Sequence, residues 1–331
     1  MNKRDYRLDI LKGVAAILVV LGHNIQLLGG SEYDFYSNYL FRFIYMFHMP
    51  LFMLISGYLF SFSVDKYSAN KIVKNKVVSL LLPVLTWSFL AKIILILLGK
   101  SSFSVVGFGI DFMTSLWFLW AVFYATIAAL IIKKYLRNNI LFHLIILIIL
   151  LLLPDILNKE LYAFMYPYFV IGFYSKNYIT KIKKEFIYVL SVLFLIMFIF
   201  WSNDYYIYTT GISIIKDPVN MIYINLYRWI AGFIGSIIVI YLISILYSLY
   251  DKDKFEILIK LGMNSLAIYL LDVYISLYVF PNIKIFIGMP ETLFSVCMIL
   301  MTPVVLLAIL SINKLIKSNK VTKLLFLGTT S

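Results

Sequence analysis

The chain has 331 residues, 63% of them hydrophobic and only 14% charged, with a mean hydropathy of +0.94. A soluble domain carries about 25% charged residues, so too few are present to coat a water-facing surface, and a soluble globular protein and a disordered chain are both excluded. The formal net charge of +13 would suit nucleic acid only if it gathered on one solvated face; here it sits in short runs between long apolar stretches, which is how membrane topology is encoded, so no nucleic-acid partner is expected.

A bilayer core of about 30 Å needs roughly 20 mostly apolar residues as helix. Ten such runs occur in chain order: 8–28, 41–62, 77–98, 115–132, 140–157, 161–175, 186–201, 222–249, 261–280 and 292–313. They predict an all-α, polytopic membrane protein of about ten transmembrane helices. The basic start and first apolar run outline a signal peptide, but no small-residue cleavage site follows Leu28 and the run is long enough to span. It is therefore read as the first span. The sixth run is short and holds Pro167, so a tilted, broken or re-entrant segment is expected there. The eighth is long and is expected to begin as an interfacial segment near Met221. No internal repeat, linker or shift in composition divides the chain, so residues 1–331 read as a single membrane domain. Cys297 is the one cysteine, which leaves no disulfide framework and no Cys-based metal site.

Lysines and arginines between the spans set the orientation. The first twelve residues hold Lys3, Arg4, Arg7 and Lys12. Alternate loops hold Lys66, Lys71, Lys74 and Lys76; Lys133, Lys134 and Arg137; Lys176, Lys181, Lys183 and Lys184; and Lys252, Lys254 and Lys260. The tail adds Lys314, Lys317, Lys320 and Lys323, while the opposite loops hold only Lys100, Lys159, Lys216 and Lys284. This 22-to-4 split predicts ten crossings with both termini in the cytoplasm. Lysine exceeds arginine 24 to 5, and Ile, Asn and Tyr are abundant, as in AT-rich bacterial genomes; a bacterial cytoplasmic membrane is the expected location.

Polar side chains at membrane depth are costly, and each needs a reason. On the first helix Asp9 and Lys12 form an i,i+3 pair, and the 11-residue step from Lys12 to His23 returns to nearly the same face. One stripe thus carries an ion pair at the cytoplasmic end and an imidazole ~16 Å further out. His23 lies about five residues from the outer end of the first span and His48 about seven from that of the second, so two imidazoles share a depth on adjacent antiparallel helices. A metal site is not expected, because no further His, Cys or carboxylate completes a ligand set. His143 reads as an interfacial residue. Trp117 and Trp120 fit an aromatic belt at the outer interface. Asp272 and Arg228 lie within spans nine and eight and could pair with each other or face a wet cavity. Lys74 and Lys76 are topology signals that could also hold an anionic cofactor from the cytoplasmic side.

The first-helix pattern, Asp9, Lys12, Gly13 and Gly22-His23, resembles the integral-membrane acyltransferase family 3, and within it the fucose 4-O-acetylase-like branch. His48-Met49-Pro50 through Gly57-Tyr58 is similar to that family's second signature, and Lys74 through Leu82-Pro83 to its basic segment and third helix. Leu116 through Leu119, Pro167 through Gly172, and Leu261-Gly262 through Leu271 are similar to later blocks. Four positions depart from the pattern: Lys12 stands where Arg is common, Lys74 and Lys76 where an Arg-rich pair is common, and Asp272 where most members have His. The lysines keep the charge but lose the bidentate fork.

The resemblance implies transfer of an acyl group, usually acetyl from acetyl-coenzyme A, to a sugar of a cell-surface polysaccharide or glycolipid. It makes acetyl-coenzyme A the expected donor and a capsular polysaccharide or its lipid-linked precursor the expected acceptor, with membrane lipid around the chain. A base near neutral pKa is needed to deprotonate the attacking hydroxyl, and His suits this. In that reading His23 is the base or a transient acyl carrier, and His48 and Asn24 orient or polarise it. Lys12, Lys74 and Lys76 hold the coenzyme phosphates, and Trp117, Asp272 and Arg228 meet the acceptor. Two other readings stand beside it: a transporter or flippase for a lipid-linked sugar, with Lys12, His23 and Asp272 along its path, and a structural subunit of a polysaccharide-assembly complex.

Overall fold

A computed structural model describes residues 4–176 and 184–329; Lys3, Lys181 and Lys183, counted above for orientation, lie outside them. The described residues form helices and no strand. In chain order these are α1 (Tyr6–Leu28), α2 (Tyr39–Tyr45), α3 (His48–Lys66), α4 (Ala69–Lys76), α5 (Leu82–Leu97), α6 (Val105–Thr114), α7 (Trp117–Tyr135), α8 (Ile140–Leu152), α9 (Lys159–Tyr174), α10 (Lys184–Ile199), α11 (Ile207–Thr210), α12 (Pro218–Leu249), α13 (Glu256–Met263), α14 (Ser265–Tyr278), α15 (Glu291–Lys317) and α16 (Lys320–Leu327). Side chains close several of their starts. Asp5 accepts from the Arg7 amide, Asn38 from Phe41 and Asn139 from Leu141, each satisfying an amide that the first turn leaves open.

Seven stretches of the described residues are long and apolar enough to cross a membrane: Tyr6–Leu28, Tyr39–Lys66, Ala69–Leu97, Trp117–Tyr135, Pro218–Leu249, Ser265–Asn282 and Glu291–Lys317. The chain is a multi-pass membrane protein. Runs five to seven of the sequence correspond to shorter helices, α8 of 13 residues and α9 and α10 of 16 each. At 1.5 Å per residue these measure roughly 20–24 Å. Pro154 follows the end of α8, and the residue before a proline is driven out of the helical region. Pro167 does not break α9, which runs on through it. The eighth run is one helix from Pro218, with no separate interfacial piece.

The second run, 41–62, lies within the spanning stretch Tyr39–Lys66, and its helix is interrupted inside the membrane. It is split at Met46–Phe47, where the Phe47 amide bonds the Ile44 carbonyl at 3.2 Å. The cause is Pro50. Having no N–H, it cannot bond the carbonyl of Met46, and its ring crowds that position. His48 is therefore the first residue of a new helix.

The chain folds as two compact units interleaved along the sequence: residues 1–55, 175–209 and 226–313 in one, and residues 56–174, 210–225 and 314–331 in the other. In the first unit Ile10, Leu11, Leu51, Leu54, Ile240 and Ile259 are core residues packed together. There α1 and α13 cross at two glycines. A Cβ at Gly13 would strike the Leu258 carbonyl, and one at Gly262 the Asp9 carbonyl. Both belong to sequence blocks that resemble the acyltransferase family, and a small-residue crossing is how helices approach closely in lipid. In the second unit α7 packs against α8 and α9, and α16 against α5, where the Trp87 indole donates to the Phe326 carbonyl at 3.0 Å.

Candidate active site

The first unit gathers most of the polar residues that the sequence singles out. Near the cytoplasmic end expected for α1, Asp9 is buried and holds two cations: Lys12 Nζ at 2.8 Å and Arg4 Nε at 2.7 Å. The i,i+3 pair forms as expected, and it occupies the Lys12 ammonium with a carboxylate.

Further along α1, His23 Nδ1 lies 2.6 Å from Asp272 Oδ2 on α14. The Asp272 side chain is 0% exposed, and the His23 side chain keeps 24%. A carboxylate can only accept, so Nδ1 carries the proton and Nε2 is left as the basic nitrogen. The Ser276 hydroxyl, one turn along α14, reaches the other oxygen of Asp272 at 3.5 Å. Asp272 therefore pairs with His23, a partner the sequence reading, which offered Arg228 or a wet cavity, did not name. Arg228 is fully buried in α12.

His48 stands close enough to His23 for the two imidazoles to interact electrostatically, in line with their shared depth. Its Nδ1 donates to the Ile44 carbonyl at 2.9 Å across the helix break, which fixes its tautomer and leaves Nε2 as an acceptor. Tyr45 joins the two signatures. Its ring lies 4.7 Å from the His48 ring, and Gly22 leaves the room it needs against α1, since a Cβ there would meet the ring at 2.8 Å. The Tyr45 hydroxyl donates to Gln26 Oε1 at 3.0 Å. Asn24 turns to α15 instead, donating to Thr302 Oγ1 at 3.1 Å, and is fully buried.

Lys74, Lys76 and Trp117 belong to the second unit. Lys74 is exposed on α4 and Lys76 half-buried at its end. A five-residue π-helical segment, Val77–Leu81, follows. It leads into Pro83, which has no N–H for the Ser79 carbonyl, and a widened turn absorbs that loss. Trp117 opens α7 after Leu116, whose backbone is left-handed (φ 48°). Trp120 is not a lipid-facing belt residue: it is buried, and its indole donates to the Phe112 carbonyl at 2.9 Å. His143, near the start of α8, faces the protein interior. It is buried, with Nδ1 2.6 Å from the Tyr166 hydroxyl. A cavity of about 360 Å³ in this unit is walled by Ala121, Tyr124, Ala125, Tyr162 and Tyr166 among others, and none of the nominated site residues lines it.

Asp272 as the partner of His23, and Ser276, Tyr45 and Gln26 around them, are what sequence reasoning did not assign. Asp272 was visible as a mid-span carboxylate. Its partner is 249 residues away, and no local pattern encodes that.

The sequence matches the family described as "Acyltransferase domain", acyltransferase family 3, over residues 5–311. It is 31% identical over 227 residues to "Nodulation protein NolL" of Mesorhizobium japonicum, covering 64% of this chain and 61% of that protein. To "Nodulation protein NolL" of Sinorhizobium fredii it is 35% identical over 224 residues, 62% of this chain and 60% of that protein. The matched region thus spans about three-fifths of these curated relatives' length. No solved structure matches.

Proposed function

Because the chain belongs to acyltransferase family 3, we propose that it is a membrane O-acetyltransferase. It moves acetyl from acetyl-coenzyme A, supplied on the cytoplasmic side, to a sugar hydroxyl of a cell-surface polysaccharide, a capsular one in this reading, or of its lipid-linked precursor. The observation that carries the proposal is the 2.6 Å contact between His23 Nδ1 and the buried Asp272 carboxylate. A partly exposed imidazole backed by a buried acid is suited to general-base work, because the carboxylate holds the tautomer and stabilises the imidazolium that forms.

In the proposed reaction the acceptor hydroxyl gives its proton to His23 Nε2 as its oxygen attacks the acetyl carbonyl. When the carbon–sulfur bond breaks, the imidazolium returns that proton to the departing thiolate, so an O-acetyl sugar and a free thiol result. Asp272 thus moves from meeting the acceptor to holding the base. His48 offers its acceptor nitrogen nearby, and Asn24 steadies α1 through Thr302. Lys12, Lys74 and Lys76 are proposed for the coenzyme phosphates, and Trp117 and Arg228 for the acceptor. Residues 1–331 act in this reading as one domain of a bacterial cytoplasmic membrane, with α8, α9 and α10 completing ten crossings that return both termini to the cytoplasm.

NMR of surface polysaccharide tests the proposal in cells carrying the gene, a deletion, and His23→Ala with insertion checked by blotting. Loss of O-acetyl signals in both mutants at unchanged polymer yield is expected. Persistent acetylation with reduced polymer export would transfer the assignment to the flippase reading.

A further inference from the structure

Arg42 is a charge the mechanism above does not use. It lies in α2, one turn before the break at Met46–Phe47, within an apolar span where a cation needs a reason. Its guanidinium sits over the Tyr39 ring, 5.3 Å from the centroid, and close enough to the Tyr206 hydroxyl to interact with it. Its Nε is buried and has no hydrogen-bond partner, and among the described residues no carboxylate pairs with it.

The surroundings are aromatic. The Tyr206 ring lies 4.8 Å from Tyr36 and 5.8 Å from Phe41, and Phe41 stacks on Tyr45 at 3.7 Å. Through Tyr45 this wall reaches His48 and the Gly22-His23 turn of α1, and Tyr45 is near enough to Asp272 to feel its charge. A planar guanidinium matches carboxylate or phosphate geometry through paired N–H donors. Tyrosines add an apolar face with a polar tip, which suits a molecule both ring-shaped and hydroxylated.

We propose that Arg42, with Tyr206, Tyr36 and Tyr45, forms a binding site for an anionic sugar next to the His23–Asp272 pair. The guanidinium takes the carboxylate or phosphate, and the aromatic wall takes the ring. Calling that sugar the acceptor rests on the acetyltransferase reading; its binding does not.

The test uses the full chain in lipid nanodiscs, titrated with glucuronate, glucose 1-phosphate and glucose and read by intrinsic tryptophan fluorescence. At least one of the two anions is expected to bind roughly tenfold or more tightly than glucose, and the stronger of the two tells a uronic acid from a sugar phosphate. Arg42→Gln is expected to abolish that preference, whereas His23→Ala keeps it. If the Gln variant does not fold, Arg42→Lys carries the test, with anion affinity weakened and glucose affinity unchanged. Equal binding of glucose and both anions, or anion binding unaffected by the folded Arg42 variant, overturns the site. An intact preference in a protein that transfers no acetyl would sink the acetyltransferase reading and leave the site standing.

Discussion

His23 and His143 are both imidazoles on apolar helices, and they differ in what holds Nδ1. In the first unit His23 meets a fully buried carboxylate and keeps a quarter of its side chain exposed. In the second unit His143 is buried against the phenol of Tyr166, itself buried. A carboxylate partner favours a protonated ring electrostatically, which is why the proposed function gives His23 the role of base. A neutral phenol satisfies one hydrogen bond and offers no charge to an imidazolium, so His143 serves packing. Burial and a short contact are common to both, which means neither identifies a base; the charge of the partner and the access left to the other nitrogen do.

The sharpest way to break this contrast is to truncate each side. Asp272→Asn keeps the size of the side chain but lets an amide donate to Nδ1, which moves the ring proton to Nε2 and blocks it as a base. Acetyl transfer is expected to fall by roughly 10²–10⁴-fold, as in His23→Ala, measured with radiolabelled acetyl-coenzyme A in membrane vesicles. His143→Leu should leave specific activity per folded protein within about threefold. It strands the Tyr166 hydroxyl at a cost of about 1–3 kcal/mol, and adding Tyr166→Phe should recover most of that loss. Equal activity losses at His23 and His143 would erase the distinction.

A smaller effect is expected from the helix crossing that carries the first site. In Gly262→Ala the new Cβ meets the Asp9 carbonyl, a backbone atom that cannot rotate away. Opening the α1–α13 crossing is expected to cost about 1–3 kcal/mol and to displace α1, on which both Asp9 and His23 ride. Thermal melting in detergent should show the loss, with activity falling alongside it. Full activity at reduced stability would mean that the site tolerates movement of α1.

What could be read from the sequence alone follows from the range of each cause. The seven stretches long enough to span and the Asp9–Lys12 pair depend on neighbours within a turn or two, so hydropathy and the helical period predict them. The shared depth of His23 and His48 needs only two span ends and the antiparallel rule. The split before His48 was also local, since Pro50 was in plain view, but an apolar run conceals it because hydropathy does not register a missing N–H. The partners of His23 and His143 are different in kind. They join α1 to α14 and α8 to α9, and the choice of carboxylate or phenol is made by packing. Trp120 and His143 show the same limit: an amphipathic ring reads as interfacial until a specific carbonyl or hydroxyl is seen to partner it inside the protein.

The last and smallest effect tests the second unit outside its membrane spans. Asp155 binds Lys159 Nζ at 2.7 Å through one oxygen and accepts from the Ile212 and Ser213 amides at 2.9 and 3.3 Å through the other. Gly211 (φ 68°) is required beside it, since a Cβ there would run into the same carboxylate. Burial pushes the Asp155 carboxyl up, but the Lys159 ammonium and the two amides outweigh it and hold it below its ordinary value of 3.8. A carboxyl lowered in this way binds its proton less tightly in the folded state than in the unfolded one. Its stabilisation is therefore complete above about pH 4 and is lost as the pH falls through the lower, folded value. Asp155→Asn should reduce the melting temperature at pH 7 by the equivalent of about 1 kcal/mol or less, since the pair is partly exposed, and the gap to the parent protein should close on acidification below pH ~4. Acetyl transfer at pH 7 should be unchanged. A melting gap independent of pH would mean that the two loops are held by the Leu151–Ile214 backbone bond rather than by the charge of Asp155.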